Sequence, residues 1–269
     1  VDALPEVDRA LFKQINLEPD HYIVVTTETV FYAQGGGQPS DTGAMRSTSQ
    51  GQHENSTVEE ETSFSVQAVR HSVSSPGVIL HLGRFEPDGS HPFNVDQTVH
   101  QSIDGEKRHF NSRIHPGGHI VGLAVRHLSK GSGERSAIPD LADVTELKAQ
   151  HYPDAAFVEF RGLILGKHKD AIQAQCDAFV SQALHIKVYW WNEAELREKC
   201  AIVPENVAVP VIADGGDGEL GLVRAVDIEG AGAYPCGGTH VPDTSVVGKV
   251  EVRKNSRSRG ISKVSYQIR

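Results

Sequence analysis

Over the first hundred residues the apolar positions come in short runs rather than at helical spacing. Residues 22–32 are rich in β-branched and aromatic side chains, and strand signals return at 64–69 and 78–82, separated by Gly, Pro and Ser. Ahead of them, Asp8 is expected to cap a short helix carrying Leu11, Phe12 and Ile15. Residues 1–100 are therefore predicted to form a small antiparallel β domain, barrel-like in form. Residues 47–62 are polar, partly acidic and without periodicity, and are predicted to be a mobile hairpin loop.

The pattern changes in residues 101–269. Ile120, Val121, Leu123, Ala124 and Leu128 make an apolar helix face, and Pro116 suits the first turn of that helix, which would place His115 near the N-cap. A strand is expected at 156–160. Ile172, Cys176, Phe179, Val180, Ala183 and Leu184 recur at helical spacing over 169–184, which makes Cys176 a packing residue. Residues 185–191 read as a strand, and Asn192 with Glu195 resembles a capping box for a helix ending near Cys200. Further strands are expected at 207–213, 220–228, 247–252 and 261–268. The whole is an α+β chain whose second domain is an α/β sandwich.

A chain of 269 residues with 38% hydrophobic and 23% charged content can bury a sizeable core, and no apolar run approaches a membrane span. The N-terminus has neither a basic region before an apolar core nor an Arg-rich presequence, and it lacks an initiator Met. Three cysteines, Cys176, Cys200 and Cys236, form no disulfide framework, so a reducing, cytoplasmic setting is expected. The net charge of −9 argues against indiscriminate nucleic-acid binding. The charge is uneven, however. Glu54, Glu59, Glu60 and Glu61 crowd one loop, whereas Arg253, Lys254, Arg257, Arg259, Lys263 and Arg269 follow Val252 with no acidic residue among them. By charge alone that tail is equally a solvated strand pair or a phosphate-contacting surface.

Two segments carry candidate chemistry. Ile114-His115-Pro116-Gly117-Gly118-His119-Ile120 and Tyr234-Pro235-Cys236-Gly237-Gly238-Thr239-His240-Val241 each place two soft-metal ligands four residues apart. Together they offer one thiolate and three imidazoles, a set suited to tetrahedral zinc. Each pair alone is better explained by surface or packing residues in a chain with 14 histidines, and only the two together bring the metal reading level with that one. No Glu lies between His115 and His119, which argues against a zinc protease. Gly35-Gly36-Gly37 matches neither a Walker loop nor a dinucleotide fingerprint, so no nucleotide cofactor is expected; it reads as a tight loop, or as backbone able to approach a ligand closely. His151, before Tyr152-Pro153-Asp154, is either a surface loop residue or a polar group lining a pocket.

The Pro-Cys-Gly-Gly-Thr-His-Val segment, the upstream H-x-x-x-H and Phe31-Tyr32-Ala33-Gln34-Gly35-Gly36-Gly37-Gln38-Pro39-Ser40-Asp41-Thr42-Gly43 resemble, in order and approximate separation, the alanyl-tRNA editing proteins. These are relatives of the editing domain of alanyl-tRNA synthetase. The resemblance covers roughly residues 20–269 and departs at Pro116-Gly117-Gly118, where the family more often has small polar residues and Ala. It implies an editing domain at 101–269 that binds Zn²⁺ through His115, His119, Cys236 and His240. It also implies a substrate surface formed by Thr29, Gly35, Gly36, Gly37, Gln38 and His151, with Thr29 placed to meet the substrate side chain. Next to such a site, phosphate contact from Arg253, Lys254, Arg257 and Arg259 becomes the better reading.

The implied reaction is hydrolysis of serine, and of glycine, from the 3′ end of mischarged alanine tRNA, with the tRNA acceptor end as partner. Four ligands would close a tetrahedral shell, whereas catalytic zinc usually keeps a position open. Either coordination expands, one ligand is loose, or the zinc organises the pocket for other groups. The alternatives are a zinc-stabilised RNA-binding or protein-interaction module without hydrolytic activity, and a zinc hydrolase acting on another small ester.

Overall fold

The computed structural model describes residues 1–47, 62–87, 92–131, 137–202 and 221–269. The chain divides into two units, Val1–Gly35 with Pro39–Arg108, and Gly36–Gln38 with His109–Arg269.

The first unit opens with α1 (Glu6–Arg9), a single turn. Asp8 does not cap it. Pro5 holds the N-cap position, and Asp8 lies buried inside the turn, where it accepts hydrogen bonds from Val73 N (2.6 Å), Ser72 Oγ (2.9 Å) and Ser74 Oγ (2.5 Å). The strands β1 (Tyr22–Val24), β2 (Gly43–Ser47), β3 (Thr62–His71), β4 (Ile79–Glu86) and β5 (His100–Ile103) form one antiparallel sheet in the order β1-β4-β3-β2-β5. Side chains alternate along β3 until a bulge between Val66 and Ala68. The bulge divides the core, with Phe64, Val66 and Val69 packing with Phe31, Met45 and Phe85, and Ala68 packing with Phe12, Leu80 and Leu82.

The sheet is open, not barrel-like. The strand expected over 22–32 stops at Val24, because the following loop is held by side chains instead of a ladder. Gln101 on β5 donates to Glu28 O (2.8 Å) and accepts from Val30 N (3.0 Å). The predicted mobile loop and its glutamates fall at 48–61, outside the described residues, and β2 and β3 pair on either side of it at Ser47 and Thr62.

Helix α2 (Gly105–Lys130), part of the second unit from His109 onward, begins ten residues before His115, not at it. Every residue from Ile114 to Val125 is buried, so this middle part of α2 is enclosed on all sides, while its first turn is largely exposed. Around it lie β6 (Thr145–Gln150), β7 (Phe157–Arg161), α3 (Lys169–Ser181), β8 (Ile186–Trp191), α4 (Glu193–Lys199), β9 (Val223–Ile228), β10 (Gly232–Pro235), α5 (Thr244–Val247), β11 (Val250–Ser258) and β12 (Ile261–Ile268). Two antiparallel sheets, β11-β12-β7-β6 and β10-β9-β8, share a core with α2 and α3 that includes Cys176, whose thiol burial holds well above its ordinary pKa. The chain is α+β. Asn192 and Glu195 form the capping box at the start of α4. The strand expected at 207–213 lies outside the described residues.

Candidate metal centre

Histidines four apart on α2 lie one turn apart on one face, which brings the His115 and His119 rings to 5.0 Å between centroids. The chain leaving β10 supplies Cys236 and His240. One ligating atom from each of these four residues falls within 4.8 Å of all the others. Cys236 Sγ is 3.2 Å from His115 Nε2 and 3.5 Å from His240 Nε2. Burial holds all three imidazoles neutral: His119 is lowered to about 3, and His115 and His240 lie well below their ordinary value. Their ring lone pairs are therefore available. Burial pushes the Cys236 thiol up to about 11, against a hydrogen bond from Gly238 N–H. A cation would reverse that shift by stabilising the thiolate. His119 Nδ1 and His240 Nδ1 are buried without a hydrogen-bond partner among the described residues. A buried group of one thiol and three neutral imidazoles fits a metal ion.

A second layer fixes these ligands. Gln38 is fully buried; its Oε1 accepts from His115 Nδ1 (2.8 Å) and Thr239 N (3.0 Å), and its Nε2 donates to Thr239 Oγ1 (2.9 Å). His115 thus carries its proton on Nδ1 and turns Nε2 towards Cys236. Ser112 Oγ, one turn before His115 on α2, donates to the same Thr239 hydroxyl (2.8 Å).

Pro116 lies inside the helix, not in its first turn as the spacing had predicted. Its missing N–H would otherwise point at the Ser112 carbonyl. That carbonyl instead accepts from Val241 N–H at 3.1 Å, so the defect in the helix anchors the segment carrying His240. Glycines make room on the same helix. A Cβ at Gly118 would stand 2.3 Å from His151 Cε1 and 2.6 Å from Tyr266 Oη, and one at Gly122 would meet Tyr234 Oη at 2.5 Å.

Beside the ligands, His151 is buried and stacks on His115, with ring centroids 4.1 Å apart and planes 20° apart. Tyr266 Oη donates to the Ile114 carbonyl (3.0 Å) and lies 2.7 Å from His151 Nδ1. Since the phenolic proton is committed, His151 Nδ1 must be the donor, and Nε2 keeps a lone pair. Burial lowers His151 to about 3, so the ring is neutral. On the other side, Tyr234 sets its ring edge-on to His119 and donates to Glu146 Oε2 (2.9 Å). Burial pushes Glu146 up to about 7 despite that bond. Arg224 on β9 donates to the Cys236 carbonyl (2.5 Å).

All four residues predicted as metal ligands are brought together, and Gly36, Gly37, Gln38 and His151 belong to the same unit. Gly36 and Gly37 have φ of +53° and +78°, and Gly37 O accepts from His151 N (2.8 Å). Gly35 and Thr29 belong to the first unit. The Thr29 hydroxyl lies 2.8 Å from His81 Nε2, donates to Gln101 Oε1 (3.2 Å) and accepts from Phe31 N (3.1 Å). Arg253, Lys254, Arg257 and Arg259 are exposed on the β11–β12 hairpin, whereas Lys263 and Arg269 are paired with Glu159 and Glu251. Sequence reasoning missed Ser112, Glu146, Arg224 and Tyr266, none of which has a local signal. Thr239 lay inside the cysteine motif and was legible as part of it.

Residues 223–263 match the family described as the threonyl and alanyl tRNA synthetase second additional domain. The chain is 28% identical over 245 residues to alanyl-tRNA editing protein AlaX-M of Methanosarcina barkeri, covering 87% of this chain and 84% of that one. It is 23% identical to AlaX-L of Pyrococcus horikoshii, covering 98% of this chain and 55% of that one. It is also 23% identical to the alanine–tRNA ligase of M. barkeri, covering 97% of this chain but only 25% of the ligase.

Proposed function

We propose, from the premise that this chain is related to the alanyl-tRNA editing proteins, that it hydrolyses the ester of mischarged alanine tRNA, releasing serine and, secondarily, glycine. It is an aminoacyl-tRNA hydrolase that would act at the acceptor end, with residues 101–269 as the editing domain and 1–100 carrying the glycine-rich loop. The observation that carries this reading is the convergence of His115, His119, Cys236 and His240 within 4.8 Å.

Those four residues would hold Zn²⁺, which would supply Lewis-acid polarisation of the ester carbonyl on expanding its coordination or releasing one ligand. The remaining tasks fall to the chain. Gln38 keeps His115 in its ligating tautomer. The Nε2 lone pair of His151 is a fixed acceptor for the substrate amine or for the attacking water, and the backbone of Gly36 and Gly37 can approach the ligand closely. An aminoacyl ester is already activated, so positioning and charge stabilisation are the main requirements.

Selectivity follows from pairing. A site that hydrogen-bonds the serine hydroxyl can favour serine over analogues that lack it, which makes glycine the secondary substrate. Thr29 is assigned that contact. Arg253, Lys254, Arg257 and Arg259 are assigned to tRNA phosphates. The chemistry belongs in the cytoplasm, where charged tRNA is used. A closed four-ligand shell also suits a metal-stabilised binding module, which is the competing reading.

The test is deacylation of serine-, glycine- and alanine-charged alanine tRNA by purified protein and by Cys236→Ala, with the metal content of both measured. Serine loss with alanine spared, and collapse in a folded variant that has lost its metal, is the expected pattern. A folded, metal-loaded wild type that hydrolyses none of the three selects the binding module.

A further inference from the structure

The chain has two tryptophans, adjacent on β8, and they have opposite fates. Trp191 is buried with Leu196 and Val223, stacks on Tyr189 and is covered by the Lys199 ammonium. Trp190 belongs to no core cluster among the described residues and is 41% exposed. Val188, on the same face, is 47% exposed. Packing accounts for one indole and leaves the other partly exposed.

The register places the exposed indole. Trp190 lies directly opposite Arg224 of β9, and Cys236 continues the β10 register by one step through its N–H to the Arg224 carbonyl at 3.1 Å. Opposed residues share a face, so Trp190, Arg224 and Cys236 form one cross-strand row. Two strand spacings put the Trp190 backbone about 10 Å from that of Cys236. The same face is covered on the β9–β10 side, where Tyr234 meets His119 and a Cβ at Gly232 would meet Leu123, while β8 is the edge strand of its sheet among the described residues. An exposed ring, a guanidinium and a candidate metal thiolate therefore lie in line.

We propose that Trp190 is a stacking platform for the 3′-terminal nucleobase of the esterified tRNA, with Arg224 beside the terminal ribose and phosphate. The inference rests on the hydrolase reading and deepens it. In an aminoacyl-tRNA the base of the esterified nucleotide is one ribose away from the reacting carbonyl. With the carbonyl at the metal centre, the base falls over the next strands of the row. Aromatic platforms bind bases through their π faces, and an adjacent arginine adds attraction for the backbone.

Trp191→Phe leaves Trp190 as the only indole, and its emission is then titrated with an uncharged acceptor-stem hairpin ending in unpaired 3′ nucleotides. The same RNA with an abasic terminal residue is the control, and binding of both is followed separately by anisotropy. Quenching by the intact RNA that is lost with the abasic one is the expected result. In turnover of serine-charged tRNA, Trp190→Ala should raise KM by about fivefold or more, with Trp190→Phe retaining most of the affinity and kcat nearly constant in both. Should Trp191→Phe misfold, the emission of wild type minus that of Trp190→Phe reports the same indole. Equal quenching by both RNAs, or an unchanged KM in Trp190→Ala, overturns the platform. A wild type that deacylates no charged tRNA overturns the hydrolase reading instead, and base-dependent quenching in that protein would still establish the platform.

Discussion

Gln38 has no exposure to solvent, and its amide is used at both ends: the oxygen serves His115 and Thr239, and the nitrogen serves Thr239. Replacing it by leucine would leave two buried donors unpaired and free the His115 ring to choose its tautomer. Gln38→Leu is expected to weaken zinc binding about 10- to 100-fold, measured by competition with a chelator; unchanged affinity would show that the glutamine does not orient the ligand. Thr29 makes a different claim. Thr29→Val should cut serine-ester hydrolysis more than glycine-ester hydrolysis, since only serine offers a hydroxyl, and an equal loss on both rejects the role. At this scale the candidate ligands were legible because spacing and chemistry coincide in short motifs. Tyr266 was not, because the partner that makes it matter, His151, is over a hundred residues away and only the fold joins them.

At the scale of elements, α2 is poorly suited to be a helix by itself. Pro116 costs about 3 kcal/mol in a helix interior, and Gly117, Gly118 and Gly122 about 1 kcal/mol each relative to alanine. Packing offsets this, since those positions admit His151, Tyr266 and Tyr234 against the helix. Pro116 also releases the Ser112 carbonyl to Val241. Pro116→Ala should therefore gain less stability than an unconstrained helix would and weaken zinc binding about tenfold, because the restored N–H competes with Val241. A gain of the full helix increment with zinc affinity unchanged would dismiss this coupling. Helices α3 and α4 were readable from periodicity and a capping box, because each presents one apolar face or one local signal. The early start of α2 was hidden because its first turns, residues 105–113, are mostly polar and carry no apolar stripe to mark a helical period. The strand expected over 22–32 failed for a related reason: its composition suits β structure, but Gln101 holds residues 26–30 as a loop.

For the whole molecule, the buried site makes stability depend on pH. His115, His119, His151 and His240 all titrate below their ordinary 6.5 when folded, His119 and His151 at about 3. Below pH 6.5 the unfolded chain binds the additional protons at these four histidines. Glu146, raised from 4.5 to about 7, acts in the opposite sense but is one group against four, so stability falls as pH drops from 6.5 towards 3. Cys236 is raised from 9.0 to about 11, so its contribution is present below pH 9 and lost as pH rises through 11. Metal-free protein should be most stable between about pH 6.5 and 9 by urea titration. A flat profile from pH 7 down to 4 would mean that these histidines are not held neutral. The α+β class was readable from the change of pattern near residue 100, whereas sheet closure was not, since it depends on whether edge strands meet. The central claim, that hydrolysis depends on the metal held by four residues from two distant segments, has a direct test. Serine release from serine-charged alanine tRNA is timed for zinc-loaded protein, for chelator-stripped protein verified as folded, and for the stripped protein with zinc restored. The rate should fall by about a hundredfold or more on stripping and return with zinc; a stripped, folded protein that keeps the full rate would contradict the account.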